Sequence, residues 1–545
     1  MMQAPVGQPV TVTPDADRPA WSAVAVAALW ALVGLGAALV AYNFSRPNSL
    51  YLDEAYILFN VLELDVRDYA GPLSYEQIAP FGFMAGVRGL IELMGMSLAS
   101  ARLLPAAAAV GAFAAFAVLV RRMAQPLPGL MMMLALVVSP ELLLQALRVK
   151  PYTLDVLFCV LGLWVGLTLL SRRCGVKETV VASAVAAAGL WCSVSFNLVI
   201  AAVGLVVIGS RIVGRGDGEP KRDWPGLAVV AGVAAAAGAA HFFGVLKPQE
   251  TGEGTAAMMY SYWAGGFLPR PLPRPDKFFI RLQLSFRDAT QMVLPGLVVG
   301  MALLGAVAGI VRRDARAWLL VAPVAVAVAA SVARAYPMQD RLALYLAPPI
   351  LLLVAAGLAE VQRALAGRVG LVVMALFAGL MVSRSVMNRG IAPLDDQVTP
   401  VLAAVGERLE PDQTAYLYYA GRVTYRFYQE HLDPDLTFPE EQLVVGGDHR
   451  GDWLGYRDEI VDLCEGGRDT WLVFTHVESW NGLDEASFFD MLLSRHGTVL
   501  DTIEGFEARA VLWRPGSAEA SRDRPPGAES TASAALPNPH PEPSP

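Results

Sequence analysis

Two adjacent carboxylates, Asp53 and Glu54, follow the first long apolar segment of the chain, residues 21–42. An ionised pair just beyond a membrane span can lie in water at the membrane face, yet its neighbours Tyr51 and Leu52 prefer the lipid boundary. Charged groups and boundary-seeking side chains at one point of the membrane face make the pair a candidate active site. The structural alternative stays open, because acidic residues also favour the beginning of a helix.

The composition is that of a membrane protein. Of 545 residues, 55% are hydrophobic and only 17% are charged, and the mean hydropathy is +0.45, which excludes an ordinary soluble enzyme. The net charge of -8 combines a basic membrane part with an acidic region at 390–516, so it predicts no partner and gives no sign of nucleic-acid binding. The four cysteines show no ligand spacing, so neither a metal cluster nor a disulfide framework is expected.

Eleven apolar segments are predicted to span the membrane, since a spanning helix needs about 20 apolar residues. They lie near 21–42, 101–120, 129–147, 152–170, 179–194, 197–213, 224–245, 291–311, 317–335, 342–360 and 370–388. The fifth and sixth are short and nearly continuous, so they are also compatible with one hairpin. Segment 78–96 is interrupted by Arg88 and Glu92, which favours a helix lying in the interface.

Basic residues in five short loops fall on one side of the predicted membrane. They are Arg121 and Arg122; Arg172, Arg173 and Lys177; Arg211, Arg215, Lys221 and Arg222; Arg312, Arg313 and Arg316; and Arg363 and Arg368. The positive-inside rule makes this side cytoplasmic. The amino terminus is then cytoplasmic, and the Asp53 loop and everything after Met387 lie outside. One span more or fewer would move the carboxy-terminal region to the cytoplasm.

The region 390–516 has a different pattern from the membrane part. Short buried strands are predicted at 414–419, 442–445 and 469–476, with helices near 397–409, 421–431, 453–464 and 484–495. This alternation predicts an α/β domain with a largely parallel sheet. The expected organisation is a disordered cytoplasmic N-terminus (1–20), a transmembrane domain (21–389), an extracytoplasmic α/β domain (390–516) and a disordered tail (517–545).

Basic residues at the outer ends of predicted spans are candidates for phosphate binding: Arg148, Lys150, Arg334 and Arg341. Arginine offers a planar fork and lysine a point charge to a phosphate. Tyr152 belongs to the same outer connection as Arg148 and Lys150. The alternative is that these cations only anchor span ends by snorkelling.

A long outer loop, residues 246–290, has an aromatic centre that includes Tyr262 and Trp263. Such rings can stack against a sugar face or lie at headgroup depth, whereas a simple solvated loop is the alternative. In the carboxy-terminal region His476 follows a predicted strand, and we interpret it as a structural histidine rather than a catalytic one.

The chain resembles the GT-C superfamily of polyprenyl-phosphate-sugar glycosyltransferases, and more narrowly the bacterial protein mannosyltransferase and aminoarabinose transferase group, including the RgtA/B/C/D-like domain. Four stretches within residues 20–390 carry the resemblance: Asp53-Glu54 after the first span, Ala79-Pro80-Phe81-Gly82-Phe83, Ser100-Ala101-Arg102-Leu103-Leu104-Pro105, and Tyr336-Pro337 to Arg341. The aspartate of the first outer loop is the most specific. The Ala79-Pro80 pair departs from the family's usual Pro-Pro or His-Pro, so acceptor placement does not carry over.

The resemblance implies a GT-C-like fold of about 11 transmembrane helices, with Asp53 as general base and Glu54 supporting it. It implies an inverting transfer of a sugar from a polyprenyl-phosphate donor to a glycan, lipid or protein acceptor of the cell envelope, at the outer face of a bacterial inner membrane. Arg148, Lys150, Tyr152, Arg334 and Arg341 would bind the lipid-linked phosphate.

Tyr262 and Trp263 would contact the sugar or the acceptor. No cofactor is implied; the acidic pair offers oxygen ligands for a divalent metal, but no further carboxylate or histidine cluster accompanies it. Two alternatives to an enzyme are a transporter or flippase of a lipid-linked substrate and a membrane scaffold. A transporter would carry ionisable residues near midplane, and the apolar cores here contain few.

Overall fold

The computed structural model describes residues 20–516, except for 47, 172–173, 214–223, 253, 272–273, 366–367, 388–396, 450–451, 478 and 481–482. The chain forms two compact units: the first runs to residue 47 and from 53 to 394, and the second comprises 48–52 and the residues from 395 onward. The segments expected to be disordered, 1–20 and 517–545, lie outside the described residues, apart from Ala20.

The first unit is helical. Its helices are α1 (Ala23–Phe44), α2 (Leu52–Glu63, whose first residue belongs to the second unit), α3 (Phe81–Met94), α4 (Leu98–Met123), α5 (Pro126–Val137), α6 (Pro140–Gln145), α7 (Tyr152–Ser171), α8 (Val176–Cys192), α9 (Phe196–Val213), α10 (Trp224–His241), α11 (Lys247–Gln249), α12 (Thr255–Tyr262), α13 (Pro275–Thr290), α14 (Pro295–Val311), α15 (Ala315–Val332), α16 (Ala347–Ala364) and α17 (Arg368–Met387). A 3₁₀ turn, Asp340–Leu346, leads into α16.

Seven helices among the described residues are long and apolar enough to cross a membrane. They are α1, α4, α7, α9, Trp224–Gln249, α15 and Asp340–Ala364, and α13 with α14 forms a further pair bent by 88°. The chain is therefore a multi-pass membrane protein, whereas eleven spans remain a prediction. The segment expected at 129–147 is divided into α5 and α6, because Pro140 cannot continue the preceding helix and instead begins a new one capped by Ser139.

Helices α14 and α16 approach each other closely at two glycines. A Cβ at Gly305 would lie 2.1 Å from the carbonyl oxygen of Leu353, and one at Gly357 would lie 2.0 Å from that of Met301. Small residues allow this backbone contact, which is the usual way for helices to pack in lipid. The contact fixes α16, and with it the 3₁₀ turn that carries Arg341.

The second unit is an α/β domain, as the sequence predicts. Its strands are β1 (Thr414–Leu417), β2 (Leu443–Val445), β3 (Thr470–Thr475), β4 (Ser479–Trp480), β5 (Leu483–Asp484), β6 (Gly497–Gly505) and β7 (Ala508–Pro515), and its helices are α18 (Val398–Arg408), α19 (Gly421–Phe427), α20 (Trp453–Gly466) and α21 (Glu485–His496). The main sheet has the order β2-β1-β3-β7-β6.

This sheet is mixed rather than largely parallel. Strand β1 pairs in parallel with β2 and β3, whereas β7 runs antiparallel to both β3 and β6. The sequence interpretation missed the β6–β7 hairpin, because β6 lies largely in solvent and shows no buried apolar run. Helices α18 to α21 and strands β1 to β3 lie at the positions that the sequence pattern predicts.

Candidate active site

Glu54 is a fully buried carboxylate in the first turn of α2. Arg102 donates to it through two nitrogens, Nε to Oε1 at 2.9 Å and Nη2 to Oε2 at 2.7 Å. The backbone N–H of Val149 donates to Oε1 at 2.8 Å. A bidentate pair with an added backbone hydrogen bond is the arrangement that a buried ion pair needs in order to persist. Glu54 therefore joins α2, α4 and the connection before α7.

The position of Arg102 follows from the local sequence of α4. Ser97 caps this helix, and Ser97 and Ser100 form a reciprocal capping box, which satisfies N–H groups that the helix itself leaves unpaired. The helix start is fixed in this way, so Arg102 follows within the next turn, with only 7% of its side chain exposed.

Asp53 differs from its neighbour because 26% of its side chain is exposed. Its Oδ2 accepts a hydrogen bond from Nη2 of Arg341 at 2.7 Å and lies 3.8 Å from Nζ of Lys150. Arg341 also donates through Nε to the hydroxyl of Tyr152 at 3.2 Å. The guanidinium carbon lies 5.4 Å from the ring centre of Trp263, within the range of a cation–π contact.

Lys150 is a buried cation. Its Nζ donates to Oε1 of Gln77 at 3.0 Å. Burial lowers the pKa of Lys150 to about 8. The negative charge of Asp53 opposes this shift, and the positive charge of Arg341 adds a smaller lowering. The ammonium is thus charged at neutral pH and loses its proton within the range of an ordinary enzyme assay.

Five of the nine residues singled out from the sequence form one cluster: Asp53 pairs with Lys150 and Arg341, and Arg341 contacts Tyr152 and Trp263. Glu54 lies beside them on α2 and contacts Arg102 instead.

The other three residues differ from this cluster in their exposure and in the groups that they contact. Arg148 is half-buried at the start of the connection that carries Lys150. Tyr262 is 57% exposed and packs edge-on against Trp263 at 4.9 Å between ring centres. Arg334 is exposed and donates to the hydroxyl of Tyr260.

Two residues that contact this site, and one buried carboxylate in the turn of α7 that follows Tyr152, had no role assigned from the sequence. Arg102 stands in one of the stretches that carry the family resemblance, and Gln77 lies two residues before another, but neither spacing reveals a partner. A third is Asp155, a buried carboxylate of α7 that accepts a hydrogen bond from Ser193. The signal available for Arg102 was its place, as a permanently charged residue, inside one of the four stretches that carry the family resemblance.

The site can bind an anion beside a carboxylate. Arg341 and Lys150 supply two positive charges at Asp53, one a planar fork and the other a point charge. Both oxygens of Glu54 already accept hydrogen bonds from the protein. Glu54 is therefore poorly suited to bind a divalent cation together with Asp53. The arrangement thus favours a phosphate over a metal as the group that meets Asp53.

Comparisons with known proteins gave results only among solved structures. No family model matches the chain, and no curated protein matches it. The chain is similar to ArnT from Cupriavidus metallidurans in the apo state, with 13% identity, a TM-score of 0.46, and coverage of 90% of this chain and 98% of that one.

Two further structures show a similar likeness. ArnT bound to undecaprenyl phosphate has 12% identity, a TM-score of 0.46 and the same coverage. The oligosaccharyltransferase AglB from Archaeoglobus fulgidus, in complex with an inhibitory peptide and a dolichol-phosphate, has 12% identity and a TM-score of 0.47, covering 92% of this chain and 77% of that one.

Proposed function

We propose that the chain is a membrane glycosyltransferase that moves a sugar from a polyprenyl-phosphate donor to a cell-envelope acceptor. The observation that supports it best is the cluster at Asp53: a partly exposed carboxylate with Arg341 at 2.7 Å and Lys150 at 3.8 Å. A base and two phosphate-binding cations are the groups that this reaction requires at one point. The family resemblance of the sequence supports the same conclusion.

Asp53 acts as the general base. Its carboxylate forms ion pairs with Arg341 and Lys150, as an ionised group does, and accepts the proton of an acceptor hydroxyl or amine. The acceptor oxygen or nitrogen bonds to the anomeric carbon as the bond from that carbon to the phosphate oxygen breaks. Attack from the face opposite the leaving phosphate inverts the configuration.

Arg341 and Lys150 stabilise the leaving group. The donor carries one negative charge on its phosphodiester, and departure of the polyprenyl phosphate develops a second charge on the phosphate oxygens. Cations placed where charge develops lower the barrier. In the free protein these cations hold Asp53, so an arriving phosphate competes with the carboxylate for them and loosens their hold on the base.

Glu54 supports the base without taking a proton itself. Its pairing with Arg102 and Val149 fixes the first turn of α2, and Asp53 belongs to that turn. Tyr152 orients Arg341 through its hydroxyl.

The aromatic pair has two roles in the proposal. Tyr262, which is exposed, offers its ring to the sugar or the acceptor, and Trp263 packs beside Arg341. Arg148 and Arg334 provide further positive charge for the lipid-linked phosphate.

The proposed location is a bacterial inner membrane, with the amino terminus in the cytoplasm and the site and the α/β domain outside. The basic loops on the opposite side support this orientation. A reporter fused after Met387 tests it: activity of an extracytoplasmic reporter is expected, and a cytoplasmic signal would reverse the orientation.

The function is tested by deleting the gene and analysing envelope glycans, lipids and glycoproteins by mass spectrometry. One species is expected to lose a sugar, which the wild type and Asp65→Asn restore and Asp53→Asn does not. Asp65 is a matched control because it is exposed and its side chain caps no N–H group. Restoration by Asp53→Asn would reject Asp53 as the base.

A second assay separates transfer from transport. The purified protein in detergent is given the polyprenyl-phosphate sugar carried by the affected species, together with its acceptor. Transfer is expected, because chemistry needs no second compartment. A flippase would show no turnover in detergent, so absence of product with the correct substrates would favour the transport alternative.

A further inference from the structure

The five residues before Asp53 belong to the α/β unit, not to the helical unit. We call this segment, Asn48–Leu52, the tether. Two of its hydrogen bonds are with the α/β unit: Thr399 N–H donates to Ser49 Oγ at 3.1 Å, and Leu50 N–H donates to the Tyr428 hydroxyl at 2.9 Å. At its end, Leu52 N–H donates to Nε2 of His476 at 3.3 Å.

The tether ends where an α/β sheet usually binds a ligand. Strand β1 has β2 on one side and β3 on the other, so the order of the parallel strands reverses beside β1. The crevice at the carboxyl ends of such strands is the common ligand site of open α/β sheets. His476 directly follows β3, and Leu52 packs against the apolar cluster that includes Tyr416 and Tyr418. Here a segment of the chain itself takes that place.

His476 is held in an unusual conformation at this point. Its φ of +54° lies in the left-handed region, which costs a non-glycine residue free energy and often marks a functional position. Nδ1 lies 2.9 Å from Thr475 Oγ1, and the ring centre lies 4.7 Å from that of Tyr51. Since Nε2 accepts the Leu52 N–H, the network assigns the proton to Nδ1.

The hydrogen bond to Leu52 acts as a helix cap supplied from a distant part of the chain. Leu52 is the first residue of α2, and the first N–H groups of a helix have no partner within it. His476 satisfies one of them from 424 residues away. The imidazole of His476, as the hydrogen-bond acceptor, therefore holds the backbone of Leu52. A single peptide bond joins Leu52 to Asp53.

We propose that His476 is a positioning residue for the transfer reaction, which holds the start of α2 so that Asp53 points at the acceptor. The inference rests on the proposed role of Asp53 as the base. A base must lie within hydrogen-bond distance of the proton it takes, and a displacement of about 1 Å can cost about 10²-fold in rate. The α/β unit thereby contributes to catalysis through the tether.

The test compares His476→Phe with His476→Gln in the full-length protein in detergent. Phenylalanine keeps a ring against Tyr51 but removes the hydrogen-bond acceptor. The Oε1 atom of glutamine can occupy the position of Nε2 and accept the same hydrogen bond. We expect His476→Phe to lower kcat about 10- to 100-fold with donor KM within about twofold, and His476→Gln to stay within about threefold of wild type. Wild-type kcat in a folded His476→Phe would overturn the inference.

A second variant removes the hydrogen-bond donor, the Leu52 N–H, instead of the imidazole that accepts the bond. Leu52→Pro deletes the N–H at the first helical position, where proline is tolerated. It is expected to reproduce the loss of kcat, and it keeps the test decisive if His476→Phe does not fold. An unchanged kcat in Leu52→Pro would also contradict the proposal.

The Asp53→Asn background separates this inference from the proposed function. If His476 acts through Asp53, His476→Phe lowers kcat in the wild type but adds nothing to the residual rate of Asp53→Asn. An equal fractional loss in both backgrounds would show a general structural role and overturn the inference. A fully active Asp53→Asn would instead overturn the proposed base, whatever His476→Phe does.

Discussion

Two carboxylates on one turn of α2 have opposite surroundings. Glu54 is fully buried and accepts hydrogen bonds from Arg102 and from the Val149 N–H, so it is part of the framework. Asp53 is 26% exposed and faces Arg341 and Lys150, which both approach the same oxygen. Neighbouring groups whose environments differ in this way commonly have separate roles.

The two arginines differ in the same way as the carboxylates. Arg102 directs two nitrogens at both oxygens of Glu54, a pairing that a ligand would have to break at two points. Arg341 gives one nitrogen to Asp53 and another to the Tyr152 hydroxyl. A phosphate can therefore replace Asp53 at Arg341 more easily than any anion could replace Glu54 at Arg102.

Asp53→Asn is expected to have the largest effect on the reaction. Losing a general base costs about 10² to 10⁴-fold in rate, whereas 26% of the Asp53 side chain is exposed, so losing its ion pairs should destabilise the fold less than breaking the fully buried Glu54–Arg102 pair. Single-turnover transfer and thermal unfolding of the same preparation measure the two quantities. A large loss of stability with normal transfer by the folded fraction would give Asp53 the framework role.

Glu54→Gln is expected to have the opposite profile. Breaking one half of a buried ion pair leaves Arg102 uncompensated, which costs about 3–5 kcal/mol of unfolding free energy. Glu92→Gln is the matched control, because Glu92 pairs with Arg88 at an exposed position and should change stability by about 1 kcal/mol or less. Denaturant titration in detergent measures both. Unchanged stability in Glu54→Gln would remove the contrast between the two carboxylates.

Much of the fold follows from local sequence pattern. Long apolar runs gave the positions of helices such as α1, α7 and α15, and alternating strand and helix signals gave β1 to β3 with their helices. The division at Ser139-Pro140 and the exposed strand β6 were missed. In the first case one apolar run hides a break in the backbone, and in the second a solvated strand lacks the apolar pattern that marks a buried one.

The partners in the site depend on contacts that sequence spacing does not encode. Asp53 was recognisable because it follows the first span, but its pairing with Arg341 crosses 288 residues, and that of Glu54 with Arg102 crosses 48. The family resemblance alone distinguished Asp53 as the base from Glu54 as its support, because the spacing of the residues does not show why the two adjacent acids differ. The link between the tether and His476 crosses 424 residues, so sequence spacing does not reveal it either.

Arg341→Lys tests whether the exchangeable cation must be an arginine. Lysine keeps the charge but cannot reach Asp53 and Tyr152 with one planar group. Losing a hydrogen bond to a charged group costs about 1.5–3 kcal/mol, so donor kcat/KM is expected to fall about 10- to 100-fold. Arg334→Lys is the comparison, because Arg334 is exposed beside Tyr260 and should lose less. The reverse order would move the phosphate site to Arg334.

The smallest expected effect is a pH dependence at Lys150, the second cation beside Asp53. Burial lowers its pKa to about 8, so the ammonium is charged below this pH and neutral above it. Donor kcat/KM of the free enzyme should therefore fall as pH rises through about 8, roughly tenfold per unit if the charge is essential. Lys150→Arg keeps its charge to much higher pH, so its profile should be flat from pH 7 to 9 even if its rate is lower. A titration of the acceptor would lower the rate of both proteins alike, so an identical fall in wild type and Lys150→Arg would exclude Lys150 as its cause.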